Sequence, residues 1–378
     1  MVGGGFGGVE TMLALRALAP ERVRVTLVSA SPLLAYKPAA TSESFDETPP
    51  LAYDLRAIAT DVGASFRVDR VQAVAPDAHR TRLASFTHLD YDALVLAVGA
   101  RAVSAIPGAL TFRDQRQVHH IRRLVSDLRS GTLRRIIFAV PSGCSWPLPL
   151  YELALLTATR LGELDVAGEV MLVSPETTPL CVFGPQASRL VAHLLTERGV
   201  RFKGESDPER VDRSGALVLS RGETLEADRV VAVPNLRGPR ITGLPLDRWG
   251  FVTTDALGSV VGLPDVYAAG DMTSFPIKQG GLAAQQADVI AQSIASDHGA
   301  PVMAARIHRV LRARLVGGAN PVYLRTELDE LGQATASTLH ADFNDAESDM
   351  RPEKVFGSYL TPYLHTRSPA LSQAATGG

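Results

Sequence analysis

Cysteine is almost absent from this chain: Cys144 and Cys181 are the only two among 378 residues. Two cysteines cannot build a disulfide framework, and they fit a reducing, cytoplasmic compartment. They do not stand in C-x-x-C spacing, which argues against a dithiol centre of the thioredoxin sort. Excess charge is missing too. Lys and Arg number 38 against 40 Asp and Glu, a net charge of -2, so nothing points to nucleic acid as a partner. The start is glycine-rich rather than basic and then apolar, so no signal peptide is read. No H-E-x-x-H, G-x-S-x-G or P-loop occurs, and no metal site is expected. One apolar run, from Ile136 to Ala158, is long enough to span a bilayer. It holds Pro141, Pro147 and Pro149, then Glu152. Prolines break helices, so it reads as a strand (135–140), a turn, and a helix from near Leu148.

What the chain does have is glycine in a telling place. It opens MVGGGFGGVE, where Gly3, Gly5 and Gly8 form G-x-G-x-x-G around Phe6 and Gly7. In a dinucleotide-binding turn the first glycine permits the tight bend. The second lets backbone approach a pyrophosphate, and the third lets helix pack on strand. Helix N–H groups then face the phosphates. The alternative is a plain glycine-rich turn. Only Met1 and Val2 precede the motif, too few for the buried strand it needs. The expectation is that this start falls late and that a longer chain begins with an apolar strand.

The chain also repeats itself. RVRVTLVSAS is followed later by LDYDALVLAVGAR, and GEVMLVSPE is followed later by LEADRVVAVPNLR. A helical pattern precedes each LVS strand, at 9–18 and 150–161. Strands alternating with helices imply parallel sheets covered on both faces. The fold class is therefore α/β, with two Rossmann-like three-layer domains and a small C-terminal region. The expected boundaries are 1–108 and 236–300 for a first, FAD-binding-like domain, 109–235 for a second, NAD(P)-binding-like one, and 301–378 for the remainder. The third block has a strand at 266–269, a Gly-Asp turn, and a helix at 281–295. In the tail, AARIHRVLRARLV reads as a basic helix. A polar stretch (329–349), an aromatic end KVFGSYLTPYL and a disordered SQAATGG follow.

The two units fail in opposite ways. A carboxylate at the end of the second strand normally holds the adenosine ribose. Here Ser29 or Ser31 takes that place, at a cost of about 1 kcal/mol for the missing charge assistance. The second unit supplies Glu176 at the position matching Ser31, yet its turn, VPSGCSWPLPLYE, keeps only Gly143 and adds bulky Trp146. The first unit is expected to bind a dinucleotide. NAD(P) binding by the second is doubtful. Gly280 and Gly281 open a helix whose free N–H groups favour negative charge, and Lys278 adds to it. A solvated helix start is the other reading of Lys278.

GGGFGG, YDALVLAVGA and VYAAGDMTSFPIKQGGLAAQQAD together resemble the two-dinucleotide-binding-domain flavoproteins. These are the pyridine nucleotide-disulfide oxidoreductase superfamily, and the chain looks most similar to its sulfide:quinone oxidoreductase and type II NADH dehydrogenase branch. The resemblance covers about residues 1–300. It implies FAD, with Gly270 and Asp271 of the A-G-D motif at the ribityl chain. It implies that Val98 and Gly99 pass the cofactor by backbone, Val98 replacing the usual threonine. Tyr36, Lys37 and Pro38 would line the flavin, and the expected binding set also takes in Val71, Gly281 and Leu282. No C-x4-C pair stands near the N-terminus, which excludes a reductase of the glutathione reductase kind.

Cys144 is a weak catalytic candidate. In sulfide:quinone oxidoreductases a cysteine in a comparable region works with a second, distant one, but here only Cys181 remains. The bland alternative is a small buried thiol. His119 and His120 point to different helix faces and read as surface residues. In the resembling branch the C-terminal region shields the flavin and docks on the membrane near the quinone. Phe356, Tyr359, Leu360, Tyr363 and Leu364 could form that face, or pack internally, or make a homodimer contact. The expected function is FAD-dependent electron transfer from a small donor, sulfide or NAD(P)H, to a quinone or another acceptor. The site would be cytoplasmic, with the inner membrane face as the peripheral alternative. A catalytically degenerate nucleotide-binding protein, serving in sensing or assembly, is the competing reading.

Overall fold

The computed structural model describes residues 1–46, 50–318, 320–340 and 354–367, with backbone alone at 336–340. The polar stretch beyond 340 and the terminal SQAATGG lie outside the described residues.

The first unit gives helix α1 (Phe6–Leu18) and strands β1 (Thr26–Ser29), β2 (Ser65–Val68) and β3 (Leu94–Leu96). β1 and β2 pair in parallel. Val2 bridges Val28 on one side and Leu96 on the other, both in parallel. Val2 N–H donates to Val95 at 2.8 Å, and Ala97 N–H donates back to Val2 at 2.7 Å. The central place of this sheet is thus held by Val2, buried in a core with Val28 and Leu96.

The second unit gives α2 (Val118–Arg129), β4 (Arg135–Ala139), α3 (Leu148–Glu163), β5 (Glu169–Val173), α4 (Gly184–Glu197), β6 (Val200–Lys203) and β7 (Arg229–Ala232). Its five-stranded sheet runs from a short edge strand, Leu110–Thr111, through β7, β4, β5 and β6. Every pair in it is parallel. Ile136, Phe138 and Leu172 carry the strand contribution to its largest core, and Tyr151, Leu153 and Leu155 carry that of α3. No helix among the described residues is long and apolar enough to cross a membrane.

The chain then returns. β8 (Val266–Ala268) pairs in parallel with β3 of the first sheet, and α5 (Gly280–Asp297) lies along α1. An antiparallel sheet of β9 (Arg309–Leu315), β10 (Val322–Leu328) and β11 (Ala334–His340) follows. This corrects the helix expected from AARIHRVLRARLV. Seven consecutive residues of it pair with β10, and Val310, Leu311, Ala313 and Leu315 are buried. The apolar positions fit helical spacing locally, but the distant strand decides.

The tail ends in a short helix, α6 (Leu360–Arg367). Of the alternatives for its apolar face, the structure realises internal packing. Leu360 and Leu364 join Val9, Met12 and Leu13 of α1 in one core, with Tyr359 and Tyr363 against it. Arg312 lies over Phe356, 5.2 Å from its ring centre.

The tail is pinned by buried carboxyl groups. Glu10 on α1 is fully buried. It accepts from the N–H groups of Tyr359 at 2.8 Å and Leu360 at 2.6 Å. Asp288 on α5 accepts from the Ser358 hydroxyl at 2.6 Å. Burial, then the neighbouring Asp288, pushes Glu10 up to about 8, and burial raises Asp288 as well. The unfolded chain ionises Glu10 near 4.5. Folding therefore retains a proton, and its stabilising effect is full below that value and lost as pH rises through about 8. The expected outcome is that Glu10→Gln gains melting temperature relative to the parent as pH is raised from about 5 to about 9. A parallel pH course of the two proteins would remove this assignment.

Candidate functional site

A cleft of about 900 Å³ opens where the first unit, the turn before α3 and the C-terminal segment meet. Of the expected residues, Gly3, Gly5, Phe6, Gly7, Ser29, Ser31, Lys37, Pro38, Val71, Val98, Gly99, Gly270, Asp271 and Lys278 all border it. Positions far apart in the chain are thereby brought to one surface.

The glycine turn is built as the motif demands. Gly3 has φ +116, and a Cβ there would stand 2.1 Å from the Ala97 carbonyl oxygen. A Cβ on Gly8 would stand 1.8 Å from the Gly3 carbonyl oxygen. Gly8 is therefore a packing residue behind the cleft and does not border it. Around Gly5 nothing lies within 4 Å of the same test atom, so this position faces open space. Gly5 caps α1 without any side-chain hydrogen bond, which leaves the first N–H groups of the helix free. Gly4, which the motif treats as variable, is just as constrained: a Cβ would meet Leu55 at 2.3 Å and the Ser29 hydroxyl at 2.6 Å.

The second wall carries Asp271. Burial raises its pKa, while Lys37 and Lys278 pull it back, and no hydrogen bond contributes. Lys278 is 8% exposed. Its ammonium donates to the Thr273 carbonyl and sits 4.1 Å over the Phe251 ring. Burial draws it down to about 8, with Asp271 and Asp247 opposing. The expectation for Gly281 and Leu282 is corrected: neither borders the cleft. Gln279 caps α5 and accepts the Leu282 N–H at 2.9 Å, so that donor is spent on the protein itself.

The sequence gives no sign of the cluster at the far end. Lys354 donates to Glu152 at 2.7 Å and to the Thr41 hydroxyl at 2.8 Å. Thr41 donates to the same Glu152 oxygen at 2.7 Å. The other Glu152 oxygen accepts from Val316 N–H at 3.1 Å. All three side chains border the cleft. A three-way contact between residues 41, 152 and 354 has no local pattern to betray it.

The second unit's own site is turned inward. Glu176 accepts from the Tyr151 hydroxyl at 2.6 Å and the Ser174 hydroxyl at 2.9 Å, and burial raises its pKa. Trp146 stands edge-on to Phe183 at 6.1 Å. Pro147 caps α3, with Pro149 in the first turn. Cys144 is half-buried and borders the cleft, and burial pushes its thiol up to about 12. His119 and His120 are exposed on α2.

These residues fit a flavin dinucleotide: a helix start with no side-chain cap at an open glycine, and across the cleft an acid without a hydrogen-bond partner among the described residues. The profile of the pyridine nucleotide-disulphide oxidoreductase family matches residues 1–289. Sulfide-quinone reductase of Aquifex aeolicus (strain VF5) is 24% identical over 262 residues, 66% of this chain and 60% of that one. Rhodocoxin reductase of Rhodococcus erythropolis is 25% identical over 304 residues, 73% and 65% of the two chains. The ferredoxin reductase component of chlorobenzene dioxygenase from Cupriavidus sp. (strain PS12) is 28% identical over 367 residues, 87% and 83%. The chain thus spans less than two thirds of the first two relatives. The fold matches the solved sulfide:quinone oxidoreductase of Aquifex aeolicus with a TM-score of 0.79 at 18% identity, covering 90% of this chain and 85% of that one. Matched along residues 1–289, and with the two-unit α/β fold its sequence predicts, the chain belongs to the pyridine nucleotide-disulphide oxidoreductase family and takes FAD as its cofactor.

Proposed function

We propose that this chain is an FAD-dependent oxidoreductase that passes electrons from a small donor to a quinone or another acceptor. The observation that carries this reading is the meeting, in one cleft, of a glycine turn with no side-chain cap and the Asp271 carboxyl group, which has no hydrogen-bond partner among the described residues. When bound, FAD supplies the two-electron redox chemistry. The chain's own residues do the rest. The free N–H groups of α1 bind the pyrophosphate, and Asp271 accepts from a ribityl hydroxyl. Lys278, charged below about pH 8, favours negative charge on a bound group. The discontinuous first domain, 1–108 with 236–300, would hold the cofactor, because both walls come from it.

Lys354 brings a proton to the other end. A quinone takes up two protons with two electrons, and Lys354 Nζ is held at the cleft by Glu152 and Thr41. The donor reading follows from the second unit. A nicotinamide dinucleotide needs a carboxylate for its ribose and free N–H groups for its phosphates. Glu176 is committed to Tyr151 and Ser174, and prolines stand at the entry to α3. These features support a donor such as sulfide, small enough to enter the cleft directly. The neutral Cys144 thiol supports direct entry over a sulfur relay.

Full-length protein given FAD is expected to show flavin absorbance in the visible, bleached by sulfide and unchanged by NADH. No absorbance would overturn the function, and bleaching by NADH alone would reverse the donor. Asp271→Ala should weaken FAD affinity by about tenfold, the loss of one charge-assisted hydrogen bond; unchanged affinity by flavin fluorescence titration would remove that role. Lys354→Met should keep the flavin and its bleaching but slow quinone reduction by at least about tenfold and displace the pH profile of that half-reaction. Equal slowing of both half-reactions would mean a structural role only.

A further inference from the structure

The loop 237–249, on the rim of the cleft, has a one-sided charge. Trp249 is 43% exposed, and two guanidinium groups lie over its ring, Arg237 at 4.1 Å and Arg248 at 4.9 Å from the centre. Arg237 also stands directly across an antiparallel pair from Arg101, and facing like charges destabilise such a pair. Arg240 holds φ +46, a region that side chains with a Cβ avoid. None of these four arginines has an ion-pair partner among the described residues. The loop's one carboxylate, Asp247, is engaged by the backbone N–H groups of Trp249 and Phe251, both at 2.8 Å. Leu244 and Leu246 pack into the core beneath. Arg101 and Pro239 border the cofactor cleft.

A repelling pair and an uncommon backbone conformation both work against the isolated fold. Their coincidence around an exposed tryptophan, in a chain of net charge -2, is what a docking surface looks like. We propose that this patch docks an acidic protein at the rim of the cleft. Arginine forks match carboxylates bidentately, and ring contacts hold two of them in place before binding. Tryptophan and arginine are also the residues most often dominant at the centre of protein interfaces. A bilayer is the less fitting occupant, because Trp249 is the loop's one exposed large apolar side chain and its two leucines pack against the core.

The test uses full-length protein, a small acidic [2Fe–2S] ferredoxin as probe, and vesicles of phosphatidylglycerol with phosphatidylcholine as the competing surface. Surface plasmon resonance is expected to show ferredoxin binding that weakens about tenfold or more between about 50 and about 300 mM salt. Arg237→Glu with Arg248→Glu should weaken it at least about tenfold. Trp249→Ala should weaken it too, while Arg129→Glu, on an exposed helix end elsewhere, should not. Unchanged thermal melting keeps the comparison free of folding effects. If the charge-reversed protein is unstable, the Trp249→Ala result decides. No ferredoxin binding at the lowest salt, equal binding by the Trp249 and Arg129 variants, or binding to vesicles alone would each overturn the proposal.

Discussion

The close approach of α1 and α5 governs this molecule. Small residues permit it: a Cβ on Gly7 would already touch Ala269 and Ala283 at 3.4 Å, and one on Gly280 would crowd Phe6 at 2.9 Å and Val355 at 3.0 Å. The starts of both helices then face one cleft, although one follows the first residues of the chain and the other follows the last strand of the first sheet. That convergence brings the glycine turn and the Asp271 wall to a single cleft. The same helices supply Glu10 and Asp288, which hold the tail. Widening the gap between them would disturb the cleft and the tail together, because close-packed interiors transmit such shifts.

The second unit shows what happens when the same architecture spends its polar groups internally. β5 ends on Val173, and Ser174 and Glu176 follow it, where a bound ribose would be expected. Tyr151, buried on α3, reaches that carboxylate with its hydroxyl, and the Leu180 N–H donates to the same hydroxyl oxygen at 3.3 Å. A fully connected buried network rigidifies the turn it ties together. It also removes the acceptor a ligand would use. Copies of one supersecondary pattern can thus diverge without any change of topology. The first unit keeps its helix start free, and the second fills the equivalent place with tryptophan and proline.

Local pattern made the dinucleotide turn, the parallel strands and the Gly-Asp block legible in the sequence. Each is written in contiguous residues whose physical demands are narrow, such as Gly3 at φ +116. The errors share a different cause. β9 has apolar residues that fit either a helix or a strand, and only pairing with β10 selects the strand. Leu282 looked available at the start of α5, but Gln279, three residues earlier, takes its N–H. Glu10, on which the sequence pattern is silent, is fully buried where the Tyr359 and Leu360 N–H groups of the tail meet it. Contacts of that range leave no periodicity to read.

The tail is fastened by buried polar contacts as well as by the apolar packing of Leu360 and Leu364. Lys354 lies between Glu152 and Thr41 at one end, and Ser358 to Leu360 meet the Glu10–Asp288 pair at the other. Buried ionisable groups are costly unless each finds its partner. Each anchor is therefore satisfied only when the tail is seated, since Glu10 without Tyr359 and Leu360 would lose both of its backbone donors. Seating and cleft composition are then one event. Lys354 and Val355 border the cleft in this seated tail.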